Sequence, residues 1–109
     1  MNINEQLKSL GFIETKTGGT QNSELGFKFN PSEHKLLKLL LSRVGEKITW
    51  EEVTYKVWGS EVKAWDLKSK IRTIDVYLVN IKPFLRTINI QIGRIKNEGL
   101  TVQTVVNNG

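Results

Sequence analysis

The stretch that decides the fold is Ser69-Lys70-Ile71-Arg72-Thr73-Ile74-Asp75-Val76-Tyr77-Leu78-Val79-Asn80-Ile81-Lys82-Pro83-Phe84-Leu85. Ile71, Ile74, Leu78, Ile81 and Leu85 recur every three or four residues, the spacing of a buried stripe on an α-helix. A second stripe holds Thr73, Val76, Tyr77 and Asn80, flanked by Arg72 and Lys82. A merely solvated face would mix Glu with Lys. These side chains are methyl-bearing, hydrogen-bonding or basic, the types that read base edges in duplex DNA. An amphipathic helix with no further task has the same spacing, so the charge distribution must separate the two readings.

Residues 61–96 hold Lys63, Lys68, Lys70, Arg72, Lys82, Arg86, Arg94 and Lys96 against Glu61, Asp66 and Asp75. Residues 1–60 are nearly balanced, and residues 97–109 hold only Glu98. The formal net charge of +5 therefore sits on the central helix and the segment immediately after it. A basic surplus confined to one element and its neighbour is the footprint of a polyanion binder.

The 109 residues make one domain, 1–109, long enough to bury about two-thirds of its unfolded surface without staples. There is no cysteine, which excludes a disulfide framework, a thiolate metal site and a cysteine nucleophile. The single histidine, His34, excludes clustered histidine ligation, and no cofactor is implied. The longest apolar run, Leu39–Leu41, is far short of a membrane-spanning helix. The first residues lack a signal-peptide pattern, so a cytoplasmic protein is expected.

Along the chain, Asn2 with Glu5 suggests a capping box for a short helix over 3–10, stopped by Gly11. Residues 12–16 and 24–29 read as strands joined by the loop formers 17–23. The pair Gly18-Gly19 lacks the Lys-Ser/Thr and strand-to-helix context of a phosphate cradle, so it reads as a hairpin loop. Asn30-Pro31-Ser32-Glu33 is a strong helix start, and Leu36, Leu37, Leu39, Leu40 and Val44 form its apolar face up to Gly45. His34 in its first turn is expected at the surface, with no nucleophile or acid beside it.

Thr49-Trp50-Glu51-Glu52 reads as a second capping box that opens a helix, with Val53, Val57 and Trp58 as the buried side and Gly59 as the stop. Its first-turn carboxylates suit the helix dipole, and no partner acid, nucleophile or metal cluster makes them an enzyme's. After a linker at 60–66, Asp66 or Ser69 can cap the central helix, and Pro83 should end or kink it near Lys82. Ile88, Ile90 and Ile92 then alternate with Asn89 and Gln91 as a strand, and Leu100–Val106 forms another. The tip between them falls at Lys96–Gly99, where Asn97 and Gly99 tolerate positive φ. Only Asn107–Gly109 reads as a frayed tail. The expected class is α+β: short N-terminal antiparallel strands, a three-helix core and a C-terminal β-hairpin wing, arranged as a winged helix-turn-helix.

These residues resemble a family. The stretch Pro31-Ser32-Glu33-His34-Lys35-Leu36-Leu37, the helix end Val57-Trp58-Gly59, the helix Arg72-Thr73-Ile74-Asp75-Val76-Tyr77-Leu78 and the turn Arg94-Ile95-Lys96-Asn97-Glu98-Gly99-Leu100 are similar to the winged-helix DNA-binding (effector) domain of OmpR/PhoB-type response regulators. The resemblance covers about residues 24–106 and leaves 1–23 as an atypical N-terminal segment. It implies sequence-specific binding of double-stranded DNA by a transcriptional regulator, with the recognition helix at about 69–82 and the wing at 94–100. By position, Thr73, Val76 and Asn80 would face bases. Arg72, Tyr77 and Lys82 would touch bases or phosphates. Arg94 and Lys96 would meet a minor groove or the backbone. The resemblance places a contact with RNA polymerase at 60–66 and allows a second copy on a tandem half-site. The sequence departs from the family in lacking a receiver domain, in Asn80 where Arg is frequent, in Pro83 and in Leu100 for the wing aromatic. A different class of function remains for the same fold: a protein–protein interaction module anchored by exposed Trp50, Trp65 or Tyr77.

Overall fold

The computed structural model describes residues 3–16, 18–22 and 26–105. Its elements run α1 (Ile3–Ser9), β1 (Ile13–Glu14), β2 (Thr20–Asn22), β3 (Phe27–Phe29), α2 (Pro31–Ser42), β4 (Lys47–Thr49), α3 (Trp50–Trp58), α4 (Ala64–Thr87), β5 (Ile90–Ile95) and β6 (Gly99–Thr104), an α+β arrangement. The expected cap at Asn2, strand start at Glu24, strand end at Val106 and tail at Asn107–Gly109 lie outside the described residues.

Where a local motif dictates an element, the element forms. Asn30 Oδ1 accepts from the Glu33 N–H at 2.7 Å, and Glu33 Oε1 accepts from the Asn30 N–H at 2.9 Å. This reciprocal cap satisfies two donors that the start of α2 would otherwise orphan. Leu36, Leu37 and Leu40 then project into the core with no exposure. The helix ends at Ser42, before Gly45, and Val44 sits 37% exposed in the turn after it instead of on the apolar face. Gly45 takes φ +87° there and donates its N–H to the Val102 carbonyl.

Thr49 caps α3 through Oγ1, which accepts from the Glu52 N–H at 3.2 Å. The expected capping box is only half formed, because the Glu52 carboxylate turns to Arg43 instead of the Thr49 N–H, tying α3 to the end of α2. Trp58, expected inside, is only half-buried, and Trp50, offered as an exposed anchor, is 4% exposed. Trp50, Val53, Thr54 and Val57 are the positions that share one helical face, and Trp58 falls one step past it.

Helix α4 differs from expectation at both ends. It begins at Ala64, so the linker after Gly59 is only residues 60–63, and Lys63 precedes it with no side-chain cap from Asp66 or Ser69. It also runs through Pro83 to Thr87. Pro83 is exposed, so the carbonyl it leaves without a donor lies on the wet side of the helix, where solvent can satisfy it. Phe84 and Leu85, both without exposure, hold the final turn against the core. Phe84 meets the Phe12 ring edge-on at 4.8 Å and the Phe27 ring at 5.6 Å, joining this turn to the N-terminal sheet.

That sheet has the antiparallel order β1-β2-β3. Its middle strand arises within the stretch expected as loop. Thr20 and Asn22 are buried in it because each finds a carbonyl: Thr20 Oγ1 donates to Ile13 at 3.0 Å and Asn22 Nδ2 to Leu10 at 2.7 Å. The second sheet has the order β4-β6-β5. Ile48, which only leads into α3 in the sequence reading, is the fully buried centre of β4, paired with Leu100. A Cβ at Gly99 would overlap the Ile48 carbonyl oxygen, so glycine permits this pairing. The β5–β6 turn falls at Lys96–Glu98, with Asn97 at φ +63°.

His34 is half-buried rather than at the surface. Burial and the neighbouring Lys38 push its pKa down, while Glu14 pulls it back up. No helix among the described residues is long and apolar enough to cross a membrane.

Candidate nucleic-acid interface

The roll of α4 is set by its buried residues. Ile74, Leu78, Ile81 and Leu85 face the core, so positions about half a turn away must face water. These are Arg72, Val76, Val79 and Pro83, spaced four, three and four. Val76 is 61% and Val79 70% exposed, and further up the same side Trp65 is 83% exposed. None of the residues that α4 exposes is acidic. Its two carboxylates, Asp66 and Asp75, are half-buried and held by Lys70 at 3.8 Å and Arg94 at 2.8 Å. The solvent side of α4 therefore presents Lys68, Arg72 and Arg86 around two isolated methyl-bearing side chains.

The eight residues named from the sequence separate into groups. Arg72 and Val76 lie on the solvent line, and Lys96 is exposed in the β5–β6 turn. Thr73, Tyr77 and Asn80 lie on the flank toward the other helices. Thr73 Oγ1 donates to the Ser69 carbonyl of its own helix. The half-buried Tyr77 ring lies 6.4 Å from that of Trp58, over which Lys70 also rests. Asn80 is exposed as a residue, yet its Nδ2 donates to Glu33 Oε2 at 2.6 Å. Glu33 is 4% exposed and already caps α2 through its other oxygen. Turning the Asn80 amide to an adenine would leave that buried carboxylate short of a donor, a cost of roughly 1–3 kcal/mol.

On the opposite flank, Arg94 binds Asp75 and lies 5.3 Å from the Trp50 ring centre. It fastens the β5–β6 hairpin to α4 and is not a free cation at the tip. Lys82 is half-buried beside Arg86 in a cleft between α4 and β5.

The sequence reading missed Val79 on this side, whereas Trp65, expected to be exposed, is so. The signal was present: Val79 continues the four-three-four line that Arg72 and Val76 begin, opposite the stripe already assigned to the core. No group of three or more metal-ligating side chains forms among the described residues. No family model matches the chain, and no curated protein matches it either.

Proposed function

We propose that the chain binds double-stranded DNA with sequence specificity and acts as a transcriptional regulator of winged helix-turn-helix architecture, a binding module rather than an enzyme. In this reading α3 and α4 are the two helices of the motif, the middle of α4 enters the major groove, and the β5–β6 turn with Lys96 reaches the minor groove or the backbone. The observation that carries it is the solvent side of α4, which is basic and methyl-bearing and exposes no carboxylate.

The dimensions agree with a contact made by the middle of the helix. Twenty-four residues extend about 36 Å, whereas the major groove is about 12 Å wide. The segment from Arg72 to Val79 is about 10 Å long and matches that opening. Arg72 offers a planar fork to guanine O6 and N7, and the methyls of Val76 and Val79 suit the thymine 5-methyl group.

Trp65 favours a second contact, with protein. An 83% exposed tryptophan at the start of α4, beside the 60–63 linker, is costly to leave in water and fits a partner's pocket. It lies within the 60–66 segment where the resemblance implies a polymerase contact.

Selection from a random duplex pool tests the main reading. An enriched motif is expected, and log K should fall against log salt with a slope of about −4 to −5, as for roughly four to six neutralised phosphates. No enriched motif, or an affinity flat between low and physiological salt, overturns it.

A further inference from the structure

Among the described residues four lysines and arginines are half-buried; Arg43 and Lys70 are ion-paired, and Lys38 and Lys82 are not. Arg43 meets Glu46 and Glu52, and Lys70 meets Asp66. Lys82 is half-buried as well, yet neither it nor Arg86 has an ion-pair partner among the described residues. The two stand four apart on α4, where like charges repel. Arg86 lies in the last turn, where the helix dipole favours a cation. Lys82 lies ahead of that turn, so the dipole does not account for it.

Both line a cleft of about 390 Å³ between α4 and β5. Asn89 and Gln91 also line the same cleft, and Ile90, Ile92 and Val105 supply apolar wall. No carboxylate lines it. Two unpaired cations lining one concavity that holds no carboxylate match a compact oxyanion: the guanidinium offers a fork and the ammonium a point charge.

We infer that this cleft binds a phosphate group. The phosphate has two possible sources, and the DNA source rests on the reading above. With Arg72–Val79 in the major groove, Lys82–Arg86 lies about one groove-width along α4, where the flanking backbone passes. A free phosphate or mononucleotide is the other source.

The side-chain amide signals of Asn89 and Gln91 in ¹H–¹⁵N spectra of the full chain decide the matter. Inorganic phosphate is titrated against chloride at matched ionic strength, and a random-sequence duplex is titrated separately. Saturable shifts with either probe are expected. They should weaken roughly tenfold in the Lys82→Gln/Arg86→Gln double variant and recover in part when Lys82→Arg replaces Lys82→Gln. Shifts with the duplex alone assign the backbone as the source, and shifts with inorganic phosphate alone assign a free ligand. If no duplex binds, the DNA reading fails while the phosphate titration still decides the cleft. Signals that move with neither probe, or that move equally in the double variant, overturn the site.

Discussion

The flanks of α4 and its solvent line differ in how their side chains are employed. On the flanks, Asn80 is bonded to Glu33, Tyr77 lies by Trp58, and Asp75 holds Arg94. On the solvent line, Arg72, Val76 and Val79 have no such tether among the described residues. The flank residues are the more polar set and would pass as the better base readers by type alone. Polarity on a helix therefore does not by itself mark a reading surface. A polar group already bonded inside the fold positions the helix, and an untethered neighbour is free to meet a ligand. The proposed function places reading on the free line and orientation on the flanks.

The largest effect that sharpens this division falls on the anchor of the Arg94 flank. Trp50→Ala removes a buried indole on which Arg94 rests and should destabilise the fold by roughly 3–5 kcal/mol. Trp58→Ala, at a half-buried ring, should cost less than half as much. Chemical denaturation of both variants checks the order, and an equal loss would show that the two indoles share the core evenly.

Next in size is the Asn80–Glu33 bond. Asn80→Ala leaves a buried carboxylate oxygen without its donor and should cost roughly 1–3 kcal/mol of stability. The ratio of specific to random duplex affinity should stay within about twofold of the unaltered chain, since the amide positions and does not read. A ratio that collapsed while the denaturation midpoint stayed fixed would return Asn80 to the readers and erase the division. A double-mutant cycle with Glu33→Gln adds a direct measure, with a coupling of roughly 0.5 kcal/mol or more expected for contacting residues.

The same contrast explains what was legible in the sequence. The caps at Asn30 and Thr49, the stop at Gly59 and the turn at Asn97 are local, each complete within about four residues, and the structure has them where the sequence puts them. The Ile74–Leu85 stripe was equally plain. What escaped depends on partners far along the chain. Strand β2 exists because Thr20 and Asn22 find carbonyls across the sheet and beyond it, and β4 because Gly99 lets Ile48 approach. The Asn80 amide meets a carboxylate 47 positions earlier, which no spacing rule reports. Pro83 misled for another reason: its cost depends on which side of the helix it occupies, and that side was fixed by burial rather than by the proline itself.

On the free line, Arg72→Ala should leave the denaturation curve unchanged and weaken the selected site by roughly 1–3 kcal/mol, as for a lost bidentate contact to guanine. Random duplex should weaken less. Lys96→Ala should instead weaken both duplexes alike and make the salt slope shallower by about one unit, because a lysine at the turn offers only charge. Matching behaviour of the two variants would place Arg72 on phosphate.

The smallest expected effect is the most discriminating. Val79 is 70% exposed, so trimming it to alanine removes little buried contact and should change stability by less than about 0.5 kcal/mol. If its methyls pack on a thymine methyl, Val79→Ala should cost roughly 1 kcal/mol of affinity for the selected site, the scale of about one buried methylene. Replacing each thymine of that site in turn by deoxyuridine removes the 5-methyl group and leaves every hydrogen-bonding atom in place. At one position the base change should cost the unaltered chain a similar amount and cost Val79→Ala almost nothing, because the second loss finds no contact left to break. Val76→Ala should couple in the same way to a different thymine, since it lies about one helical turn away. Asn80→Ala should couple to none. Additive losses at every thymine for both valines would mean that the solvent line of α4 does not reach base methyls, and the contrast between its free line and its tethered flanks would then carry no meaning for DNA.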